Sequence, residues 1–442
     1  MEKTEEESKL DAKPATEIEL STNEKEMIKA VTSLDYAYFE DLSGLEYNIN
    51  FRISPDGINL LLLASSIGDI PMIQMMVANK HVRLNHKDAN GENAIFYATA
   101  SGNLEAVKEL RKRGCHMQIS KITGAHPAHL ACKKGYLDIV KYFISDIGLN
   151  PNITKKGMTM LMIASWKKHP EITKFLLENE ADPNLALENG TTALYLAAKS
   201  GDHISLDYLL QSSTEVDCLC DNSKSTPLMT AVHNGNLECV KKLLIHKANV
   251  NICNSNGEDI YILASQCQSL EVFRLILTLY TSKGFELDKE CHLDKMTMFM
   301  RACFTQNHKI AKYLKKKGAK INFHNSDGDS ILHIALRHKL KKVIAFCLLM
   351  GCNTKLTNEK GESYEKFLKS EDPEYSFLEG LKAKVQEKLN NHKKDKFSRK
   401  KATGKNKKPE DGKLGRDHED TLEGQAKLEP LDLSFNNDTD EG

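Results

Sequence analysis

An alanine that returns about every 33 residues is the tightest constraint on this chain. The anchors are Ala64, Ala98, Ala131, Ala164, Ala197, Ala231, Ala264, Ala302 and Ala335, with successive spacings of 34, 33, 33, 33, 34, 33, 38 and 33. Around each stands the same block: a small or polar residue, two apolar positions, the alanine, often a glycine, then an apolar stripe. Nine units on one period predict stacked copies of a single supersecondary unit, each too small to bury its apolar face alone. With 442 residues and 40% hydrophobic content, the chain has the material for such an array and its shared core.

The unit around Ala231 shows the local logic. Ser225 or Thr226 is placed to cap a helix, and Pro227 fits its first turn. Gly235 permits a turn that a side chain would strain. Val240, Leu243 and Leu244 then share one face at helical spacing, and Ala248–Asn251 leads into the next unit. Each unit therefore reads as two short helices and a turn. An anchor larger than alanine would push the helices apart, at about 1–3 kcal/mol.

These motifs resemble the ankyrin repeat. Thr226-Pro227-Leu228 stands where that family has T-P-L-H, and His126-Pro127-Ala128-His129 and Ser330-Ile331-Leu332-His333 match in part. Ala181-Asp182-Pro183-Asn184 and Ala248-Asn249-Val250-Asn251 match the family's A-D-x-N ending. The resemblance spans roughly residues 50–365. It implies an all-α solenoid of about nine helix-turn-helix repeats with degenerate caps and charged, disordered termini, each repeat touching only its neighbours.

The expected organisation is an acidic disordered segment 1–24, a degenerate N-terminal cap or repeat 25–56, and the repeat solenoid 57–360. A C-terminal cap 361–380, a basic tail 381–408 and an acidic disordered tail 409–442 follow. Lys25–Leu42 has helical periodicity, and Tyr364, Phe367, Leu368, Phe377 and Leu378 are placed to cover the last stack. The glycine four residues after the anchor is replaced by Lys168, Gln268, Gln306 and Lys339, so the C-terminal units are expected to be less regular. The 38-residue spacing adds about five residues near Thr278–Asp294, as a longer second helix or loop that interrupts the curvature.

Catalytic chemistry has little support. There is no G-x-S-x-G, no phosphate-binding glycine loop, no H-E-x-x-H and no EF-hand loop. Cys218-x-Cys220 lacks a second pair at zinc spacing and reads as two thiols beside an inter-repeat turn. At the T-P-L-H position, His129 and His333 read as structural hydrogen-bonding groups. No enzyme activity and no cofactor or metal are expected. The acidic, polar N-terminus, the absence of a long apolar run and the odd, irregular set of eleven cysteines point to a reduced cytoplasmic or nuclear protein. It is not expected to be secreted or membrane-inserted.

By the same resemblance, protein partners contact positions two and three residues after the anchor and six, eight and nine before it. Here these include Lys133, Lys134, Lys155, Lys156, Trp166, Lys167 and Lys199. The chain's one tryptophan thus falls among lysines from three adjacent units. An exposed tryptophan offers a large contact, and lysines favour an acidic partner segment. The alternative is a tryptophan packed between helices beneath an ordinary solvated face. A second candidate is Phe304 with Arg337 and His338. Asn184 and Asn251 resemble asparagines hydroxylated in other ankyrin proteins; otherwise they are turn residues bonding locally.

The net charge of zero conceals segregation. Residues 1–25 carry −4, residues 381–408 carry +10 and residues 409–442 carry −8, which leaves +2 for residues 26–380. Lys393-Lys394 and Lys405-Asn406-Lys407-Lys408, ten residues apart, resemble a bipartite nuclear-import signal. The same block could attract nucleic acid or simply be solvated. Leu428–Phe435 is a candidate docking motif. The reading is a non-enzymatic adaptor or scaffold that binds a protein partner on the concave surface. The alternatives are a nuclear regulator acting through its basic tail and a substrate-presenting subunit of a larger enzyme assembly.

Overall fold

The computed structural model describes residues 18–353 apart from 45–47, 118–119, 121–123, 283, 285, 291–294 and 339, together with residues 357, 380 and 383. Contacts divide the chain into residues 1–382 and 383–442. The import lysines Lys393, Lys394, Lys405, Lys407 and Lys408, the acidic tail and the aromatic residues assigned to a C-terminal cap lie outside the described residues, as do residues 1–17.

Capping chemistry sets the helix starts. In the nine units the residue five before the anchor alanine is Asn59, Asn93, His126, Thr159, Thr192, Thr226, Asp259, Thr297 or Ser330. Each precedes an inner helix: α3 (Leu60–Ile67), α5 (Ala94–Ser101), α7 (Pro127–Lys134), α9 (Met160–Lys167), α11 (Ala193–Ser200), α13 (Pro227–His233), α15 (Ile260–Gln266), α17 (Met298–Phe304) and α19 (Ile331–Arg337). Thr226, for example, accepts from the Met229 amide at 3.2 Å. A tight turn leads to the outer helices α4 (Ile70–Ala78), α6 (Leu104–Lys112), α8 (Leu137–Lys141), α10 (Pro170–Glu178), α12 (His203–Gln211), α14 (Leu237–Ile245), α16 (Leu270–Ser282), α18 (His308–Lys316) and α20 (Lys341–Met350). After α8 the chain continues as a π-helical turn over Tyr142–Asp146. Inner helices pack on inner and outer on outer, giving two layers. The anchor alanines are fully buried between them.

One further pair, α1 (Thr22–Ser33) and α2 (Tyr36–Gly44), stacks on α3 and α4. The helical stretch expected over Lys25–Leu42 is thus two helices. Leu34 takes a left-handed conformation between them (φ 56°). The first starts at a Ser21–Glu24 capping box.

The 38-residue unit resolves as a longer second helix: α16 has 13 residues where most outer helices have 9. Missing glycines do not abolish the turn. Lys168 and Gln306 adopt left-handed φ of 62° and 55° where other units have glycine. Between units the chain forms short fingers. One is a two-residue hairpin, β1 (Thr154–Lys155) with β2 (Met158–Thr159); another is a single bridge between Cys220 and Ser225.

Candidate protein-binding groove

Helical geometry decides what the inner layer shows. With the anchor and its i−3 and i+1 neighbours turned into the stack, the positions two and three residues later emerge beside the fingers. Trp166 lies there and is 45% exposed, so it is a surface residue and not a core one. The Lys167 ammonium sits over its ring, 4.1 Å from the centroid. Lys133 and Lys134 on α7, Lys167 on α9 and Lys199 on α11 are exposed, and none forms an ion pair among the described residues. Across all nine inner helices, neither of the two emerging positions holds a carboxylate.

The outer layer differs. In α6 to α14 lysines meet acids on the same helix, as in Lys108–Glu105 and Lys241–Glu238 (both 2.7 Å), or on the next outer helix, as in Lys242–Asp207 (2.8 Å). Charge is balanced over α6 to α16, the outer helices behind the groove lysines, whereas α18 and α20 carry six lysines and no carboxylate.

The finger wall is more mixed. Lys155 is half-buried in β1, and Lys156 is exposed at the hairpin tip with φ 49°. Burial and Asp88 push the neighbouring Glu92 carboxyl up, and Lys155 offsets part of this. Tyr195 binds the Asp221 carboxylate of the next finger, and Tyr97 binds Asp88 at 3.0 Å. Beyond Lys199 the groove opens into a cleft of ≈ 360 Å³ bordered by His233, Asn234, Asn256 and Gln266.

The second candidate patch is weaker in charge. Phe304 is 37% exposed, but the Arg337 guanidinium is held at 2.5 Å by the buried Asp329 carboxylate. His338 is exposed.

The candidate hydroxylation site Asn184 is tied at both ends of its amide. Its Nδ2 donates to the Ser213 carbonyl at 2.7 Å, and its Oδ1 accepts from the Glu215 amide at 2.9 Å. Asn50 and Asn152 make the same pair of bonds to their own next units. In the sequence Asn184 reads as a hydroxylation candidate or else a locally bonding turn residue, and Asn50 and Asn152 are not singled out. The D-x-N or N-x-N spacing was the available signal, but the partners lie about 30 residues away. The Asn251 amide donates to Asn249 Oδ1 at 2.9 Å.

The histidines sit inside the caps. His129 Nδ1 accepts from the His126 amide at 3.1 Å, while its Nε2 faces the Ile153 carbonyl at 3.2 Å. Burial holds its pKa below the usual range. His333 Nδ1 lies 2.8 Å from Ser330 Oγ. Among the described residues no three His, Cys, Asp or Glu side chains are grouped to hold a metal, and no helix is long and apolar enough to cross a membrane.

A sequence model described as ankyrin repeats (three copies) matches residues 27–121, 114–186, 194–290 and 262–358, and a second (many copies) matches 167–210. The chain belongs to the ankyrin-repeat family. Its 33-residue period and two-layer stack are those repeats, which serve protein binding. Human transient receptor potential cation channel subfamily A member 1 is 23% identical over 345 residues, covering 74% of this chain and 31% of that protein. An ankyrin repeat protein of fowlpox virus is 34% identical over 158 residues, 34% of this chain and 46% of the other. The mouse B-cell lymphoma 3 protein homolog is 27% identical over 224 residues, 49% of each. The chain thus spans half or less of the length of these curated relatives. Similar proteins also include two named as transferases, so the repeats accompany enzymes as well as binding proteins.

Proposed function

We propose that this ankyrin-repeat chain is a non-enzymatic adaptor that holds an acidic, extended segment of a protein partner in the groove between fingers and inner helices. One observation carries the reading. The single tryptophan is exposed at the groove on α9 with Lys167 over its ring, and the flanking inner helices α7 and α11 carry Lys133, Lys134 and Lys199, with no carboxylate on either emerging position of the inner layer. The ring supplies an apolar anchor at small entropic cost, because the stack holds it in place before the partner arrives. The lysines supply steering and register for carboxylates. Phe304 and His338 extend the surface further along the array, and Lys155 and Lys156 form its finger side.

The test is capture of cellular proteins by the immobilised chain, compared with Trp166→Ala. Loss of one partner set, with a melting temperature within about 2 °C of the parent, supports the reading. Unchanged capture refutes it. The basic segment 381–408 supports a second reading on charge alone, nuclear import or nucleic-acid contact through its net +10. Deleting it should then abolish salt-sensitive nucleic-acid binding or nuclear accumulation while leaving groove capture intact.

A further inference from the structure

Cys218 and Cys220 lie in the finger between α12 and α13, one residue apart. Along an extended chain, alternate side chains share a face. Both thiols point inward and are buried, while Leu219 between them is turned out and 49% exposed. The two sulfurs are 3.3 Å apart, with the Cys220 thiol donating to Cys218 Sγ. Thr192 Oγ1 lies 3.3 Å from the same Cys218 sulfur. Two polar hydrogens are therefore available to one sulfur.

Electrostatics separates the pair. The Cys220 thiol, and after it Thr192, favours the thiolate of Cys218 and lowers its pKa despite burial; Cys220 is pushed well up by the neighbouring Cys218 and by burial. Cys218 is also the one with an edge at the surface (8% exposed, against 0% for Cys220). One sulfur is thus placed as attacking group and the other as resolving group.

Backbone geometry allows closure without a new fold. Alternate residues of an extended strand are about 6.5 Å apart, within the usual Cα separation of disulfide-bonded cysteines. The sulfurs need to close by a little over 1 Å to reach about 2.05 Å. The paired backbone bonds of the Cys220–Ser225 bridge, each 2.9 Å, hold the segment that must yield.

We propose that Cys218 and Cys220 form a reversible redox pair, a dithiol that low-molecular-weight disulfides convert to an intramolecular disulfide. The Cys218 thiolate attacks one sulfur of the oxidant and expels the first small thiolate. The Cys220 thiolate then attacks Cys218 Sγ in the mixed disulfide and expels the second. The two cysteine protons pass to the two departing thiolates, so one small disulfide is reduced to two thiols as one protein disulfide forms. The oxidised finger sits on the wall of the groove, next to the Asp221–Tyr195 contact.

The experiment treats the native full chain with glutathione disulfide and maps its cysteines by mass spectrometry. Lys199 and Lys224 bound a tryptic peptide whose only cysteines are these two. The expected result is that peptide two hydrogens lighter, restored by dithiothreitol. Cys220→Ser should give instead a glutathione adduct at Cys218, and Cys218→Ser should give no closure. Exposed Cys253 in the next finger reports that the oxidant was active. The proposal is overturned if the native peptide keeps both free thiols while Cys253 reacts, if glutathione stays on Cys218 of the parent without closure, or if the cross-link forms only in denaturant. The comparison of native and denatured parent stands even where a serine variant fails to fold.

Discussion

Acid should destabilise this array through one cap. His126 occupies the capping position that the other eight units fill with threonine, asparagine, aspartate or serine. Its Nδ1 accepts from the Ala128 amide at 3.1 Å, and its ring packs edge-on to Phe143 at 5.9 Å. Burial first, and His129 second, lower its pKa from 6.5 to about 4. The unfolded chain therefore binds this proton more tightly than the folded one. Stability associated with His126 is complete above about pH 6.5, falls as pH drops, and is exhausted below about pH 4. Between pH 7.5 and pH 4.5 the loss amounts to about 2.5 kcal/mol, a sizeable share of a domain's typical net stability. Protonation also removes the acceptor that caps α7, so the chemistry and the linkage agree in sign. His126→Thr keeps an oxygen for the Ala128 or His129 amide but cannot titrate. Urea unfolding at several pH values should show the variant losing about 2.5 kcal/mol less than the parent over this interval. It should start lower at neutral pH, because contact with Phe143 is lost. Parallel pH profiles for parent and variant would refute the reasoning.

Removing the two inter-unit bonds of Asn184 by Asn184→Ala should lower stability by about 1–3 kcal/mol, read as an earlier urea midpoint. An unchanged midpoint would show that water replaces both bonds at no loss. Lys168 holds a left-handed conformation at the glycine position, so Lys168→Gly should stabilise the array by up to about 1 kcal/mol. A lower melting temperature would mean that the Lys168 side chain contributes more than its backbone strain costs. Ala197→Leu, at a fully buried anchor between α9 and α13, should cost about 1–3 kcal/mol, with unfolding concentrated in the adjacent units by hydrogen exchange.

Most of the fold was legible from the chain. The anchor alanines, the capping residues five before them and the apolar outer stripes are local signals repeated nine times. Each copy faces an almost identical neighbour, so reading one unit reads the stack. The extra residues after Ala264 were visible as a longer spacing, and the structure turned them into α16. Less was legible where a residue answers to something distant. Lys168 and Gln306 lack glycine's freedom, yet the stacked neighbours hold them in glycine's conformation. Asn184 looked like a turn residue because its partners, Ser213 and Glu215, belong to the following unit.

The sequence by itself determined the period, the two-helix unit, the buried alanine seam and the segregation of charge toward the termini. These follow from side-chain size, capping chemistry and counting, which need no knowledge of neighbours. Only the tertiary structure decided that Trp166 is exposed, that Lys133, Lys134, Lys167 and Lys199 form no ion pair among the described residues, and that two thiols one residue apart face each other in a buried finger. Exposure and pairing are properties of where the next unit stops. Trp166 and Arg337 stand at the same repeat position and both are exposed, but only the structure shows that Arg337 is met by a buried aspartate.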